Sequence, residues 1–311
     1  MSVASSGGRS ALIRAMPWVF VLIWSTGFVV ARFGMPHSPP LTFLSMRYAF
    51  SLLCFGVWIL LAGVDWPRER AQWAHLGVVG VLIHAGYLGG VWAAVKSGIG
   101  AGTVALLVGL QPVLTALWMS WSGRAIGTGG HAGEHTGARV LPQQWFGLAL
   151  GLGGLTLVVW HKLGGGEVTH WNLSLAVFAL LSITIGTLYQ KRFVAPCDVR
   201  TASAVQLFAA LAVSLPLALL EAEPVVWNAQ MIGAMAWSVL ALTLGGSSLL
   251  YLLIQRGAAT KVTSLMYLVP PCTAALAWLL FGEDFTLSMG VGMLLTATGV
   301  VLVVRAPTRS P

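Results

Sequence analysis

Ten long apolar stretches divide the chain, at approximately 16–34, 41–62, 73–95, 99–121, 143–161, 172–190, 201–220, 229–254, 260–281 and 286–304. An α-helix rises 1.5 Å per residue and the hydrocarbon core of a bilayer is about 30 Å thick, so about 20 apolar residues make one crossing. Each stretch has that length. Turn-forming residues separate them: Pro36, Pro39 and Pro40; Asp65, Trp66 and Pro67; Gly164, Gly165 and Gly166; Pro196; Glu223 and Pro224. The runs are continuous and do not alternate with polar residues, which predicts helices and not the strands of a membrane barrel. The expected fold is an all-α membrane protein with ten transmembrane helices.

Composition excludes the soluble alternatives. Only 8% of the 311 residues are charged, against about 25% in ordinary soluble domains, too few to coat a water-facing surface. The net charge of +8 does not point to nucleic acid, because the basic residues stand singly between apolar runs. Cys54, Cys197 and Cys272 show no metal-ligand spacing, and neither a metal nor a cofactor is expected. Arg9 and Arg14 precede an apolar run that continues to Phe33 with no small-residue cleavage signal, so an uncleaved first span is expected.

Loop charges set the orientation. With the N-terminus in the cytoplasm, the inner segments hold Arg9, Arg14, Arg68, Arg70, Arg124, Arg139, Lys191, Arg192, Arg200, Arg256, Lys261, Arg305 and Arg309. The outer segments hold Arg32, Lys96 and Lys162. This positive-inside bias places both termini in the cytoplasm of an inner (plasma) membrane protein. Glu221, Glu223, Glu283 and Asp284 then gather outside.

An internal repeat is visible. Sliding the chain by 159 residues brings Gly27 onto Gly186, Gly98 onto Gly257, Leu106 onto Leu265 and Pro112 onto Pro271. The fifth and tenth spans align at a shift of 145, Gly147 on Gly292 and Gly154 on Gly299, and an insertion around Gly127–Arg139 accounts for the difference. Five spans per repeat is an odd number, so the second half must cross the membrane in the opposite sense. The chain thus divides into a tail (1–15), a first five-helix repeat (16–161), a linker (162–171), a second five-helix repeat (172–304) and a tail (305–311). Inverted repeats recur in secondary transporters, with the substrate near the midplane between the halves.

No Asp or Glu lies inside a span, which argues against a carboxylate proton relay and against paired-carboxylate catalysis. Arg47, about two turns into the second span, is the sharpest candidate: either it pairs with a substrate carboxylate or it is a structural arginine bonded to a helix end or reaching outward. His84 lies mid-span and shares a helical face with Tyr87. It falls opposite Thr243 in the repeat, where Thr243, Ser247 and Tyr251 form a stripe. Such faces suit a cavity wall, and interhelical hydrogen bonding is the alternative. Trp24, Trp92 and Tyr267 complete the expected substrate-binding set; Trp18, Trp66, Trp73, Trp145 and Trp171 are interface anchors near span ends. Pro112, Pro270 and Pro271 are candidate hinges. Small-residue motifs such as Gly86-x-x-x-Gly90 and Gly147-x-x-x-Gly151 suit close helix packing and are compatible with a homodimer without requiring one. His131, Glu134 and His135 in the insertion supply too few ligands for a metal site.

Several of these stretches resemble the EamA-type members of the drug/metabolite transporter superfamily. They are Trp24-Ser25-Thr26-Gly27; Pro39-Pro40-Leu41-Thr42-Phe43 followed by Arg47; and Leu268-Val269-Pro270-Pro271 with Gly282-Glu283 at the end of the ninth span. The resemblance spans about residues 16–305 and implies transport of amino acids, related metabolites or drugs, usually outward. One departure is Gly123-Arg124, where the family often has Gly-Glu. The expected partners are a small-molecule substrate and the lipid bilayer. The expected activity is an exporter or facilitator of amino acids or related small metabolites, with a multidrug transporter of the same fold as the alternative. A membrane enzyme acting on lipid head groups would need an acid/base or nucleophile cluster that the spans lack. No phosphate-binding GxxxxGK[ST] loop is present, so ATP is not a direct energy source.

Overall fold

The computed structural model describes residues 4–121, 142–163, 166–249, 266–283 and 286–304, and every regular element among them is helical. In chain order these are α1 (Ala4–Gly34), α2 (Pro40–Ala62), α3 (Arg70–Lys96), α4 (Ala101–Val108), α5 (Gln111–Trp121) and α6 (Pro142–Leu163). There follow α7 (His170–Phe193), α8 (Val199–Ala218), α9 (Ala229–Leu249), α10 (Val269–Phe281) and α11 (Leu287–Val304). Six helices are long and apolar enough to cross a membrane: α1 from Ala15, α2, α3, α7, α8 and α9. Shorter apolar helices cover Ala101–Thr115, Trp145–Trp160, Val269–Phe281 and Leu287–Leu302. The chain is a multi-pass α-helical membrane protein. Its outward surface is correspondingly apolar: Leu60, Leu61, Leu219, Leu220 and Leu287 are all almost fully exposed, which hydrocarbon favours and water would not.

The structure corrects one boundary. The stretch 99–121 is not a single rod but two pieces, α4 and α5, separated at Gly109-Leu110. Pro112 has no N–H to offer the carbonyl of Val108, and its ring clashes there. The chain therefore restarts, with Val113 N–H and Leu114 N–H both bonded to Leu110 O. Pro270 and Pro271 sit in the first turn of α10, where a missing donor costs nothing. The start of the expected ninth span and the whole 127–139 insertion lie outside the described residues.

Helices α3 and α9 both change character midway. Val81–Leu88 and Trp237–Gly245 are π-helical, a wider coil that appears mostly in short runs and often at functional sites. The repeat shift carries the first of these onto 240–247, overlapping the second. Side-chain hydroxyls serve backbone carbonyls in these stretches: Ser182 Oγ donates to Leu82 O at 2.8 Å and Thr243 Oγ1 to Ser238 O at 2.8 Å.

Packing follows small residues. Helix α6 lies along α11, α2 along α8, and α4 against α10. Helix α3 packs on α7 and α8, while α9 packs on α1 and α2. At the α6–α11 crossing a Cβ on Gly154 would come within 2.5 Å of Gly292 O, and one on Gly292 within 2.6 Å of Gly154 O. Gly299 presses on Gly147 and Gly151 in the same way. Only glycine lets these backbones approach so closely. Gly86 and Gly90 likewise meet Ser182 and Ala179 of α7, so these motifs serve packing within the chain.

Glu167, Glu221, Glu223 and Glu283 gather at one end of the bundle, and three of them cap helices. Glu221 accepts from Leu41 N–H at 3.0 Å, Thr42 N–H at 2.7 Å and the Thr42 hydroxyl at 2.8 Å. Glu167 accepts from Gly100 N–H at 2.9 Å and Glu283 from Ala101 N–H at 3.1 Å. Carboxylates there complement the partial positive charge of the α2 and α4 N-termini. At the same end Lys96 pairs with Glu223, and Val226 N–H donates to His37 O at 2.8 Å.

Candidate functional site

Arg47 is the group around which a site can be built. Helix α2 begins at Pro40, a proline suited to a first turn, and two turns later its sequence carries Arg47 inward. The residue is only 8% exposed. Its Nε and Nη2 both donate to one oxygen, Thr243 Oγ1 of α9, at 3.2 and 3.1 Å. Thr243 passes its own proton to Ser238 O. A guanidinium cannot shed its charge at physiological pH, so a buried cation is held here by a neutral hydroxyl. Three ion pairs occur among the described residues, Lys96–Glu223, Lys162–Glu167 and Arg200–Asp198. Arg47 takes part in none of them.

His84 stands nearby on α3, its side chain close to that of Gln206 of α8. Its backbone carbonyl accepts from the buried Tyr48 hydroxyl at 2.8 Å, and the two rings meet edge-on at 6.1 Å. Tyr48 and Tyr87 are both close enough to the guanidinium to interact with it electrostatically. Arg47, His84, Tyr87 and Thr243 are therefore brought together. The pairs have a pattern: the 159-residue shift turns Arg47 into Gln206 and His84 into Thr243. The pair Arg47–Thr243 thus exchanges with Gln206–His84, and each pair joins one residue from 16–161 to one from 172–304.

The remaining candidates fall in different places. Trp24 is half-buried, tilted on Phe20 at 5.4 Å, and faces the Gly246 backbone one turn from Thr243. Ser247, next to Gly246, is half-buried on α9. Trp92 stacks on Phe43 at 4.4 Å and is 1% exposed, a packing position. Tyr251 and the Tyr267 side chain lie outside the described residues. Pro112 opens α5, and Pro270 packs against the Gly109 break. Gln206, Tyr48 and Ser238 escaped the sequence reading. Gln206 was within reach, since the repeat shift applied to Arg47 lands on it. Two apolar grooves also mark the outer surface, of about 280 Å³ beside Phe50 and Leu240 and about 490 Å³ beside Val81 and Ala209; the same shift relates them.

Comparison with known proteins decides the family. The model of the EamA-like transporter family matches residues 15–126 and 170–305. The chain belongs to the EamA-like transporter family. This EamA-like transporter is similar to the protein named "Uncharacterized transporter YvbV" of Bacillus subtilis (strain 168). The two are 25% identical over 95% of this chain and 91% of that protein. It is similar to the protein named "Uncharacterized inner membrane transporter YedA" of Escherichia coli (strain K12), 24% identical over 93% of this chain and 92% of that one. A third relative, from Salmonella typhimurium (strain LT2), is named "Probable amino-acid metabolite efflux pump". It is 23% identical over 91% of each chain. A crystal structure at 18% identity superposes with a TM-score of 0.62, covering 94% of this chain and 97% of the other, a likeness of fold.

Proposed function

We propose that this EamA-like transporter exports small metabolites bearing a carboxylate, amino acids foremost, by alternating access between two five-span halves of opposite orientation. The observation that carries the substrate class is the buried Arg47, a cation whose hydrogen-bond partner among the described residues is a neutral hydroxyl. Desolvating a charge is costly unless a counter-charge arrives, and a carboxylate meets a guanidinium through two parallel, charge-assisted bonds. The relative named as an amino-acid metabolite efflux pump supplies the precedent. Among the described residues Arg47 takes part in no ion pair, which suits one carboxylate better than a multiply charged solute.

The two-halves reading draws on packing. The contacts of α3 with α7 and of α1 with α9 exchange when the halves are swapped, as do those of α3 with α8 and α2 with α9. The Gly147–Gly299 and Gly154–Gly292 approaches exchange under the 145 shift. A pseudo-twofold axis in the membrane plane generates such pairs, and the ten-span model with repeats 16–161 and 172–304 accommodates them.

The test of activity is efflux from proteoliposomes preloaded with labelled amino acids. Loss should exceed that from empty liposomes, and Arg47→Ala should reduce it at least about tenfold while the protein still inserts. Efflux no faster than from empty liposomes across a broad amino-acid panel defeats the reading. Orientation is checked separately: a C-terminal reporter active only outside the cytoplasm should stay silent, and activity would overturn the ten-span topology.

A further inference from the structure

Thr243 occupies one of the edges of Arg47 that a carboxylate can use. Nε and Nη2 form the side-on edge of the guanidinium fork, which can grip two carboxylate oxygens in parallel. In this structure both point at a single hydroxyl oxygen, at 3.2 and 3.1 Å. That hydroxyl donates its one proton to Ser238 O at 2.8 Å while its oxygen accepts both guanidinium N–H groups. It has nothing left to donate to an incoming carboxylate. A carboxylate that takes this edge of Arg47 must replace it.

We infer that Thr243 is an internal placeholder in the Arg47 fork, displaced when the carboxylate of the transported solute binds. This rests on the carboxylate reading of Arg47 proposed above and adds a competitor to it. The exchange favours the incoming group, because a carboxylate brings charge and a second oxygen where the hydroxyl offers one neutral oxygen. It also has a mechanical consequence. Arg47 sits on α2 and Thr243 on α9, so the bond ties residues 16–161 to residues 172–304. Its loss on binding removes a link between the halves, and a ligand shifts a conformational equilibrium only through such differential contacts.

The experiment reads thermal melting of the purified full chain in detergent as acid is titrated in. The probes are propionate and benzoate, with propionamide and benzamide as neutral matches, and L-leucine, L-threonine and L-phenylalanine with their amides. The acids should raise the melting temperature and the amides should not. Thr243→Val, which keeps the shape and removes the hydroxyl, should reach half-saturation at roughly tenfold lower acid, since the two charge-assisted bonds to the hydroxyl no longer have to be broken. Thr243→Ser should match the wild type, and Arg47→Gln should lose the shift. Weaker or unchanged acid binding in Thr243→Val overturns the inference, as does equal stabilisation by acids and amides or no stabilisation by any acid. The two readings fail separately. If the acids bind more tightly to Thr243→Val but no amino acid leaves proteoliposomes, the exporter reading falls and the placeholder stands. If amino acids are exported but Thr243→Val binds acid no better, only the placeholder falls.

Discussion

A histidine within a span invites a role in proton transfer, since its charge changes near neutral pH. In this chain His84 lies beside Gln206 and close to Arg47, and the apolar stretches contain no Asp or Glu to complete a carboxylate proton relay. Transport should therefore run down the solute's own gradient. Efflux from proteoliposomes is expected to be the same with and without an imposed pH gradient, in the wild type and in His84→Gln. A stimulation by the gradient that vanishes in His84→Gln would assign the proton to this residue instead. The residue scale also separates aromatics that looked alike in sequence. Trp24 faces Gly246 near the Arg47 pair, whereas Trp92 fills the core against Phe43.

Helix ends are the elements most exposed to titration. Asp198 caps α8, accepting from Arg200 N–H at 2.8 Å and pairing with the Arg200 side chain. The hydrogen-bonded Arg200 side chain is the largest influence holding this carboxyl below its ordinary range. A carboxyl whose pKa is depressed by folding stabilises the fold above its unfolded pKa and loses that contribution as pH falls through the folded value. Asp198→Ala should thus cost about 1 kcal/mol at neutral pH, read as a lower melting temperature. The gap from the wild type should narrow once the pH falls below about 4. A gap independent of pH would mean that the charge contributes nothing. Among helix pairs, α6 and α11 depend on the mutual approach of Gly154 and Gly292, a contact that no larger residue can reproduce.

At the scale of the whole molecule the acidic end is shut. His37 O accepts from Val226 N–H, and the His37 ring meets Asn228 and Gln230 at 3.2 and 3.1 Å. Glu221 and Glu283, from the second half, cap helices of the first. The alternating access proposed above would require these contacts to part. In a variant lacking Cys54, Cys197 and Cys272, cysteines placed at His37 and Asn228 should form an oxidisable bridge that stops efflux, with recovery on reduction. Undiminished efflux from the bridged protein would show that this end need not open.

The sequence by itself determined that this chain lives in a bilayer, because runs of apolar residues have a fixed length requirement and charged residues cannot be hidden without partners. It determined Arg47 as the residue to question, since a lone cation in such a run is costly enough to be noticed. It also determined Gln206 implicitly, through the repeat shift. Only the tertiary structure decided what Arg47 touches: Thr243 lies 196 residues away, and local periodicity carries no information about a partner on another helix. The same holds for Trp92, whose burial depends on Phe43 of α2, and for Glu167, Glu221 and Glu283, which cap helices far along the chain. The π-helical stretches belong to this class as well. A wider coil is stabilised by what packs around it and by hydroxyls such as Ser182 serving its carbonyls, and neither is written in the spacing of Val81–Leu88.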